Sequence, residues 1–477
     1  MNNNRWMQLV FGLLLTGFFL LAGNGQGLAQ AEGIGTITAA ELATAVAQAQ
    51  PGDTIQVNGG TYVGSLIIDK PLTLIGLDWP VIDGGNKGTV VSIQAPNTTL
   101  RGFVIQNSGH VLDQENSGIA VEAENALIEG NHFESTLFGI YLREAHGTII
   151  RDNQITSKDL ELPRRGDPIR VWYSNDVLVE NNRVTRGRDV VLWYSERLII
   201  RNNDVTNGRY GLHFMYCDDA LISQNRLLDN SVGAFMMYSR RVNLMNNTIS
   251  GNRGPSGYGI GLKDMDDAVL IGNLFLDNRI GAHLDTSPRE VDSIGHFNGN
   301  VFAYNDIGVE MLPSVRHNEF VGNSFIENEE QVSIAGGGGL FQANSWTVAG
   351  QGNFWSDYAG YDADADGQGD IEYKSDRLFE NLMEQEPALR LFLYSPATNA
   401  IDFAAKAFPA VRPRPKLVDE RPFMTPTLPT GAPALPPPEG QGWLWATLAL
   451  LAVAVGLAML PRLHWRRYQF EHRLETK

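Results

Sequence analysis

One cysteine in 477 residues excludes a disulfide framework and any cysteine-cluster zinc or iron–sulfur site within the chain. Positive charge is also scarce. Against 54 Asp and Glu stand 37 Lys and Arg, a formal net charge of −17, so the basic face that a nucleic-acid protein turns to phosphates is missing. Charged residues make up 19% and hydrophobic ones 43%, too apolar a balance for disorder throughout. Glycine is plentiful, with 50 residues spread along most of the chain, and reads as punctuation within a fold. The length would hold about three ordinary domains or one elongated repeat array.

The two ends give an address. Residues 1–31 read as a secretory signal: Arg5 is the positive start, Met7 to Ala22 the apolar stretch, and Ala29-Gln30-Ala31 suits cleavage after Ala31. A second uncharged apolar segment, Trp443 to Leu460, is long enough to cross a bilayer as a helix. Trp443 and Trp445 lie at one rim, and Arg462, Arg466, Arg467, Arg473 and Lys477 in the tail 461–477 lie beyond the other. The positive-inside rule then places the C-terminus in the cytoplasm and the body outside it, in the periplasm or at the cell exterior. Between body and span, residues 409–440 are proline-rich and favour extended polyproline II, as a spacer or as a strap lying along a partner.

The body is a repeat. Asparagine follows an apolar run at Asn107, Asn131, Asn153, Asn182, Asn203, Asn225, Asn247, Asn273, Asn300, Asn323 and Asn344. Glycine followed by alternating apolar residues keeps the same step, as in Gly139-Ile140-Tyr141-Leu142, Gly211-Leu212-His213-Phe214 and Gly281-Ala282-His283-Leu284. Short β-rich runs separated by turns at about 22 residues per coil describe an all-β, single-stranded right-handed parallel β-helix over residues 36–357. The asparagines are expected to stack into a ladder. Ala39 to Gln48 is expected to cap the first coil as a short helix with Thr38 at its N-cap, and residues 358–408 to close the other end.

Aligned coils let each notable residue be judged against its column. The phrase Tyr173-Ser174 recurs as Tyr194-Ser195, Tyr216-Cys217 and Tyr238-Ser239, so Cys217 occupies a serine column. Asp218-Asp219 and Asp266-Asp267 fall in a column filled elsewhere by other polar turn residues. One column differs. Trp172, Trp193, Met215 and Met237 follow one another on the outward parity, an apolar stripe that suits protein docking. With His213 and Cys217 beside them, Met215 and Met237 also offer thioether, imidazole and thiol donors that suit copper(I). His283 lies three coils beyond His213, too far for both to hold one ion. Near the end, Asp362, Asp364, Asp366 and Asp370 surround Gly367 in a pattern like the first half of a calcium loop, without its terminal glutamate.

Several runs resemble the NosD family of nitrous oxide reductase maturation proteins: Ile169-Arg170-Val171-Trp172-Tyr173-Ser174, Arg209-Tyr210-Gly211-Leu212-His213-Phe214-Met215-Tyr216, and Met236-Met237-Tyr238-Ser239-Arg240-Arg241. So do the opening Gly52-Asp53-Thr54-Ile55 and the closing Gly352-Asn353-Phe354-Trp355-Ser356-Asp357-Tyr358. The resemblance covers residues 36–425. It implies an extracytoplasmic, copper-binding β-helix that works with an ABC-type ATPase and permease, and with the apo-reductase or a copper chaperone, to assemble the copper–sulfur centre of nitrous oxide reductase. The span from Trp443 is not part of it. The competing class is an enzyme or carbohydrate-binding protein, because parallel β-helices also serve polysaccharide lyases, hydrolases and epimerases. No catalytic constellation of clustered carboxylates is visible on one outer face.

Overall fold

A computed structural model describes residues 34–337, 343–408 and 413–429. The signal at 1–31, the span at 443–460 and the tail at 461–477 lie outside the described residues, as does part of the proline-rich stretch. Among the described residues, no helix is long and apolar enough to cross a membrane.

Each coil contributes one short strand to each of three parallel sheets. Two sheets have 13 strands and one has 12. The first sheet runs from Ile34–Thr38 to Asn318–Val321, the second from Thr61–Val63 to Phe354–Trp355, and the third from Leu66–Ile68 to Glu330–Ile334. Alternation within each strand sends one apolar side chain inward per coil and stacks it on its equivalent. In the first sheet the inward column is Leu100, Ile128, Ile150, Val179, Ile200, Ile222, Leu244, Leu270, Phe297 and Phe320, each at most 1% exposed. In the second sheet the column ends in stacked rings, Phe275, Phe302, Phe325 and Trp355, which pass the stack on to Tyr373 of the cap. Coils approach so closely that a Cβ on Gly233 or Gly281 would sit 2.5 Å from the carbonyl oxygen of the next coil, which keeps these positions glycine.

The asparagine ladder turns the chain from the first sheet to the second. Each side-chain oxygen accepts the backbone N–H and the amide of the preceding member, as from Asn225 to Asn247 at 3.0 Å. The ladder runs from Asn131 to Asn323 and then to Asn353, not Asn344. Asn344 instead continues a short pair with Asn318, 3.0 Å from its N–H, because the chain between the last regular coil and Asn353 departs from the repeat. Asn107 also lies off the ladder and donates to Asp83. A second ladder, Asn230, Asn252, Asn278, Asn305 and Asn328, turns the chain from the second sheet to the third.

At the N-terminal end Thr38 and Glu41 form a capping box, and a 3₁₀ turn at Ala39–Glu41 leads into the helix Leu42–Gln48. This buries Leu42 and Val46 over the first coil. At the C-terminal end helices Leu378–Gln385 and Pro396–Ala407 lie over the last coils. The described part of the proline-rich stretch then returns across them as a strap. Val418–Asp419 pairs antiparallel with Tyr373–Lys374. The fully buried Asp419 takes the place of the next asparagine: its Oδ2 accepts the Asn353 N–H at 2.7 Å and the Trp355 Nε1–H at 2.9 Å.

Just before it, Lys416 is buried with its Nζ 2.7 Å from both Glu330 and Glu384 and 3.5 Å from Glu380. Burial pushes the Glu380 carboxyl up to about 7, against the pull of Lys416. The folded cap therefore holds a proton on Glu380 in a range where the unfolded chain has lost it. Stability from this group is fully present below the ordinary glutamate range and falls as pH rises toward 7. Melting of the cap, followed by hydrogen exchange, is expected at lower temperature at pH 7.5 than at pH 5, and Glu380→Gln is expected to flatten that trend.

Candidate functional site on the outer face of the third sheet

The third sheet has the longest strands, among them Tyr210–Met215, Val232–Met237, Tyr258–Lys263 and Ile280–Asp285. Their outer face therefore carries more than one column. Register puts Trp172 beside Trp193, Trp193 beside Met215, and Met215 beside Met237. All four side chains are half-buried. The stripe is bounded by Arg143 at one end and by the Lys263–Asp285 ion pair, 2.9 Å, at the other.

His213 stands in the neighbouring column, two residues before Met215 and on the same face. Its parity is outward as expected, yet it is only 7% exposed. The Trp193 ring closes one side at 5.1 Å and the Tyr210 ring another at 4.8 Å, both edge-on. Its Nδ1 lies 3.6 Å from Asp189 Oδ2. Asp189 is itself buried and is fixed by Arg209, whose Nε donates to Oδ1 at 2.8 Å and whose Nη2 meets Oδ2. These bonds hold the Asp189 carboxyl below the usual range against the cost of burial. His213, Met215 and Met237 thus share one patch. Thioether and imidazole are donor types of the kind that suits copper(I).

Cys217 does not join them. It is fully buried, its Sγ donates to the Leu192 carbonyl at 3.0 Å, and its N–H donates to Ser239 Oγ at 2.8 Å. Burial pushes the thiol up to about 12, so it stays protonated and a poor ligand. The cause is local. Tyr216 has a left-handed φ of 56°, which reverses the alternation and turns the next side chain inward. The serines of the same column do what Cys217 does: Ser195 Oγ accepts from the Ser174 N–H at 2.9 Å and donates to the Trp193 carbonyl at 2.9 Å.

The same left-handed turn exposes a feature that sequence reasoning missed. Tyr173, Tyr194, Tyr216 and Tyr238 all have φ between 48° and 56° and stack face to face with centroids 4.9, 5.2 and 5.1 Å apart. A bulky residue is strained in that region, and four in succession build a rigid aromatic ridge beside the Trp–Met stripe. Its sequence signal was the Tyr-Ser phrase itself. A second missed group is Arg170, whose guanidinium lies within 6 Å of the rings of Phe138, Tyr141, Trp172 and Trp193. Glu115 pairs with it at 3.1 Å. Nearby Asp167 is pushed up to about 6 by burial.

The remaining sites separate. His283 lies three coils from His213 in the same column, stacked on Tyr258 at 4.3 Å and 2.7 Å from Glu310. The acidic pairs serve their turns: Asp219 holds Arg241, and Asp266 accepts the backbone N–H groups of Arg289 and Glu290. Asp362, Asp364 and Asp366 bring carboxylate oxygens within 4.8 Å of one another. Asp370 is not in that group, and its Oδ2 accepts the Ala363 N–H at 2.7 Å.

Comparison with known proteins places this geometry among relatives. The family described as periplasmic copper-binding protein (NosD) matches residues 152–360, and a right-handed β-helix region matches residues 82–188. A probable ABC transporter binding protein NosD of Pseudomonas aeruginosa is 31% identical over 405 residues, covering 80% of this chain and 92% of that protein. Its namesake from Stutzerimonas stutzeri is 27% identical over 382 residues, covering 76% and 85%. Among solved structures, the Dettilon tailspike protein is 17% identical with a TM-score of 0.47, covering 63% of this chain and 64% of its own.

Proposed function

The chain belongs to the NosD family, and from that premise we propose that it is the extracytoplasmic subunit of an ABC-type complex that matures nitrous oxide reductase. In this reading an ATPase and a permease drive the cycle, and the rod presents the outer face of its third sheet to the apo-reductase or to a copper chaperone. Copper is cargo on this surface. The observation that carries the reading is the grouping of His213, Met215 and Met237 on one half-buried apolar face beside the tyrosine ridge. Soft donors take up the ion, and the flanking Trp172 and Trp193 supply the dry aromatic contact area that protein docking needs.

A carbohydrate-handling role fits this face less well. Sugar platforms use free ring faces, whereas the tyrosine rings here cover one another. The C-terminal segment from Trp443 anchors the subunit beside its permease in the same proposal, with the C-terminus in the cytoplasm.

Copper(I) titration against a chromophoric competitor tests the metal step. Met215→Ala together with Met237→Ala is expected to weaken binding by at least about 100-fold, since even changes around a ligand cost 10–100-fold. Cys217→Ser is expected to leave affinity unchanged. Equal affinity of wild type and the double methionine variant would remove copper from this face and leave it a docking surface.

A further inference from the structure

The C-terminal end of the rod holds a cleft that neither the ladders nor the Trp–Met face accounts for. Three cavities of about 310, 310 and 400 Å³ lie among the last coils, the chain after Phe354–Trp355 and the cap helices. They adjoin, because Arg377 and Glu380 line all three, Glu329 joins the first to the second, and Asp357 joins the second to the third.

Close positive charge is short in this cleft. Elsewhere on the chain arginine meets carboxylate tightly, at 2.7 Å for Arg197 and Asp176 and 2.6 Å for Arg241 and Asp219. Arg377 is half-exposed and stands 3.6 Å from Glu380 and 3.9 Å from Asp357, too far to hydrogen-bond either. Arg390 reaches Glu329 only at 3.9 Å, and Lys374 is taken by Glu372. Glu380 is 7% exposed, yet its Oε1 accepts no hydrogen bond among the described residues. Lys416 and Ser375 approach its other oxygen, each at 3.5 Å. A carboxylate oxygen buried beside a cavity without a donor points to a missing cation.

The spread of these acids does not suit a single metal ion. Among the described residues, the acidic group close enough to share one ion is Asp362, Asp364 and Asp366, which does not line the cleft. Carboxylates strung across three cavities suit an extended polycation. The rim adds apolar surface, since Phe403 of the first cavity is 74% and Ile371 of the third 47% exposed. A free polyamine gains little from that rim, whereas a chain with apolar residues between its cations gains from both. We infer that this cleft binds a basic, partly apolar segment of a partner protein, whose lysine or arginine side chains enter among Glu329, Asp357 and Glu380. Arg377 fills the place loosely in the free chain. The inference stands apart from the copper reading, whose donors lie on other coils.

Fluorescence anisotropy with the full chain tests this, using a short labelled peptide that alternates lysine and leucine. Saturable binding is expected, at least about 10-fold tighter than for spermidine or for a lysine–serine peptide of equal charge. Asp357→Asn with Glu329→Gln is expected to weaken it at least about 10-fold. Arg377→Gln, which removes the loose cation, is expected to tighten it about threefold or more, a gain that a damaged fold does not mimic. Asp364→Asn with Asp366→Asn takes the same charge from the exposed loop and is expected to change affinity by less than about twofold. No saturable binding, no gain on Arg377→Gln, or an equal loss from the loop variant would overturn the inference. So would equal affinity for spermidine, which would make the cleft a polyamine site.

Discussion

Asn225→Ala is expected to lower the stability of the rod by about 2–6 kcal/mol, well beyond what a turn residue ordinarily costs. The side chain makes four buried bonds. Its Oδ1 accepts the Asn203 N–H and Nδ2–H at 3.0 Å each, and its Nδ2 donates to the Ile200 carbonyl at 2.8 Å and to Asn247 Oδ1 at 3.0 Å. Alanine removes all four bonds and strands the Asn203 N–H, while Asn203 Nδ2 keeps the Val179 and Arg201 carbonyls and Asn247 Oδ1 keeps the Asn225 N–H. Four buried bonds at about 0.5–1.5 kcal/mol each give about 2–6 kcal/mol. Asp is no substitute, because it accepts but cannot donate and brings a charge to a fully buried position. Gln224→Ala, one residue earlier on the exposed side of the turn, serves as the comparison and is expected to shift stability by under about 1 kcal/mol. In a repeat array each coil is supported by its neighbours. A broken rung in mid-rod is therefore expected to split one unfolding transition into two in denaturant, with hydrogen exchange rising first in the coils of Asn203 and Asn247. A single transition at the wild-type midpoint would show that the ladder follows the fold without supporting it.

The ladder also shows which parts of this molecule the sequence carries legibly. A coil that recurs must satisfy the same backbone groups in the same way each time, so asparagine and glycine return at fixed steps and the rod can be read from them. Reading failed where regularity is interrupted or where three-dimensional neighbours decide. Asn344 matches the ladder in sequence phase, but the irregular chain around it hands the rung to Asn353 and then to Asp419, a residue no local pattern connects to the repeat. The second ladder was visible as an asparagine three residues before the column glycine, in Asn230 to Gly233, Asn278 to Gly281 and Asn305 to Gly308, and was masked by the more regular first one. Cys217 was misplaced because alternation holds only within a strand, and the left-handed Tyr216 ends it one residue earlier. His213 kept its parity and lost its exposure, since Trp193 and Tyr210 come from sequence positions whose closeness only the register reveals. For the candidate site, composition named soft donors, and the coil geometry decided which of them share a face.

Lys416→Met is expected to have the second large effect, and to act on the strap more than on the rod. The ammonium sits between Glu330 and Glu384 at 2.7 Å each, with Glu380 at 3.5 Å, and none of the four side chains is more than 9% exposed. Removing the cation leaves carboxylates buried without it. Arg390 still reaches Glu330 at 2.7 Å and Arg377 lies 3.6 Å from Glu380, but Glu384 loses the only cation seen beside it among the described residues. Breaking a buried ion pair from one side costs about 3–5 kcal/mol. Lys416 stands three residues before Asp419, so the loss is expected to free the pairing of Val418–Asp419 with Tyr373–Lys374 and to uncover the end of the main ladder. Limited proteolysis should then cut within residues 413–429, while exchange in the mid-rod coils stays at wild-type rates. Adding Glu384→Gln and Glu380→Gln to Lys416→Met removes the stranded charges and is expected to recover most of the protection. If the single variant resists proteolysis as the wild type does, the buried cluster is not what holds the strap. If the triple variant stays as open as the single one, it is the ammonium's bond to the Val332 carbonyl, 3.3 Å, and not its pairing with the carboxylates, that fastens the strap.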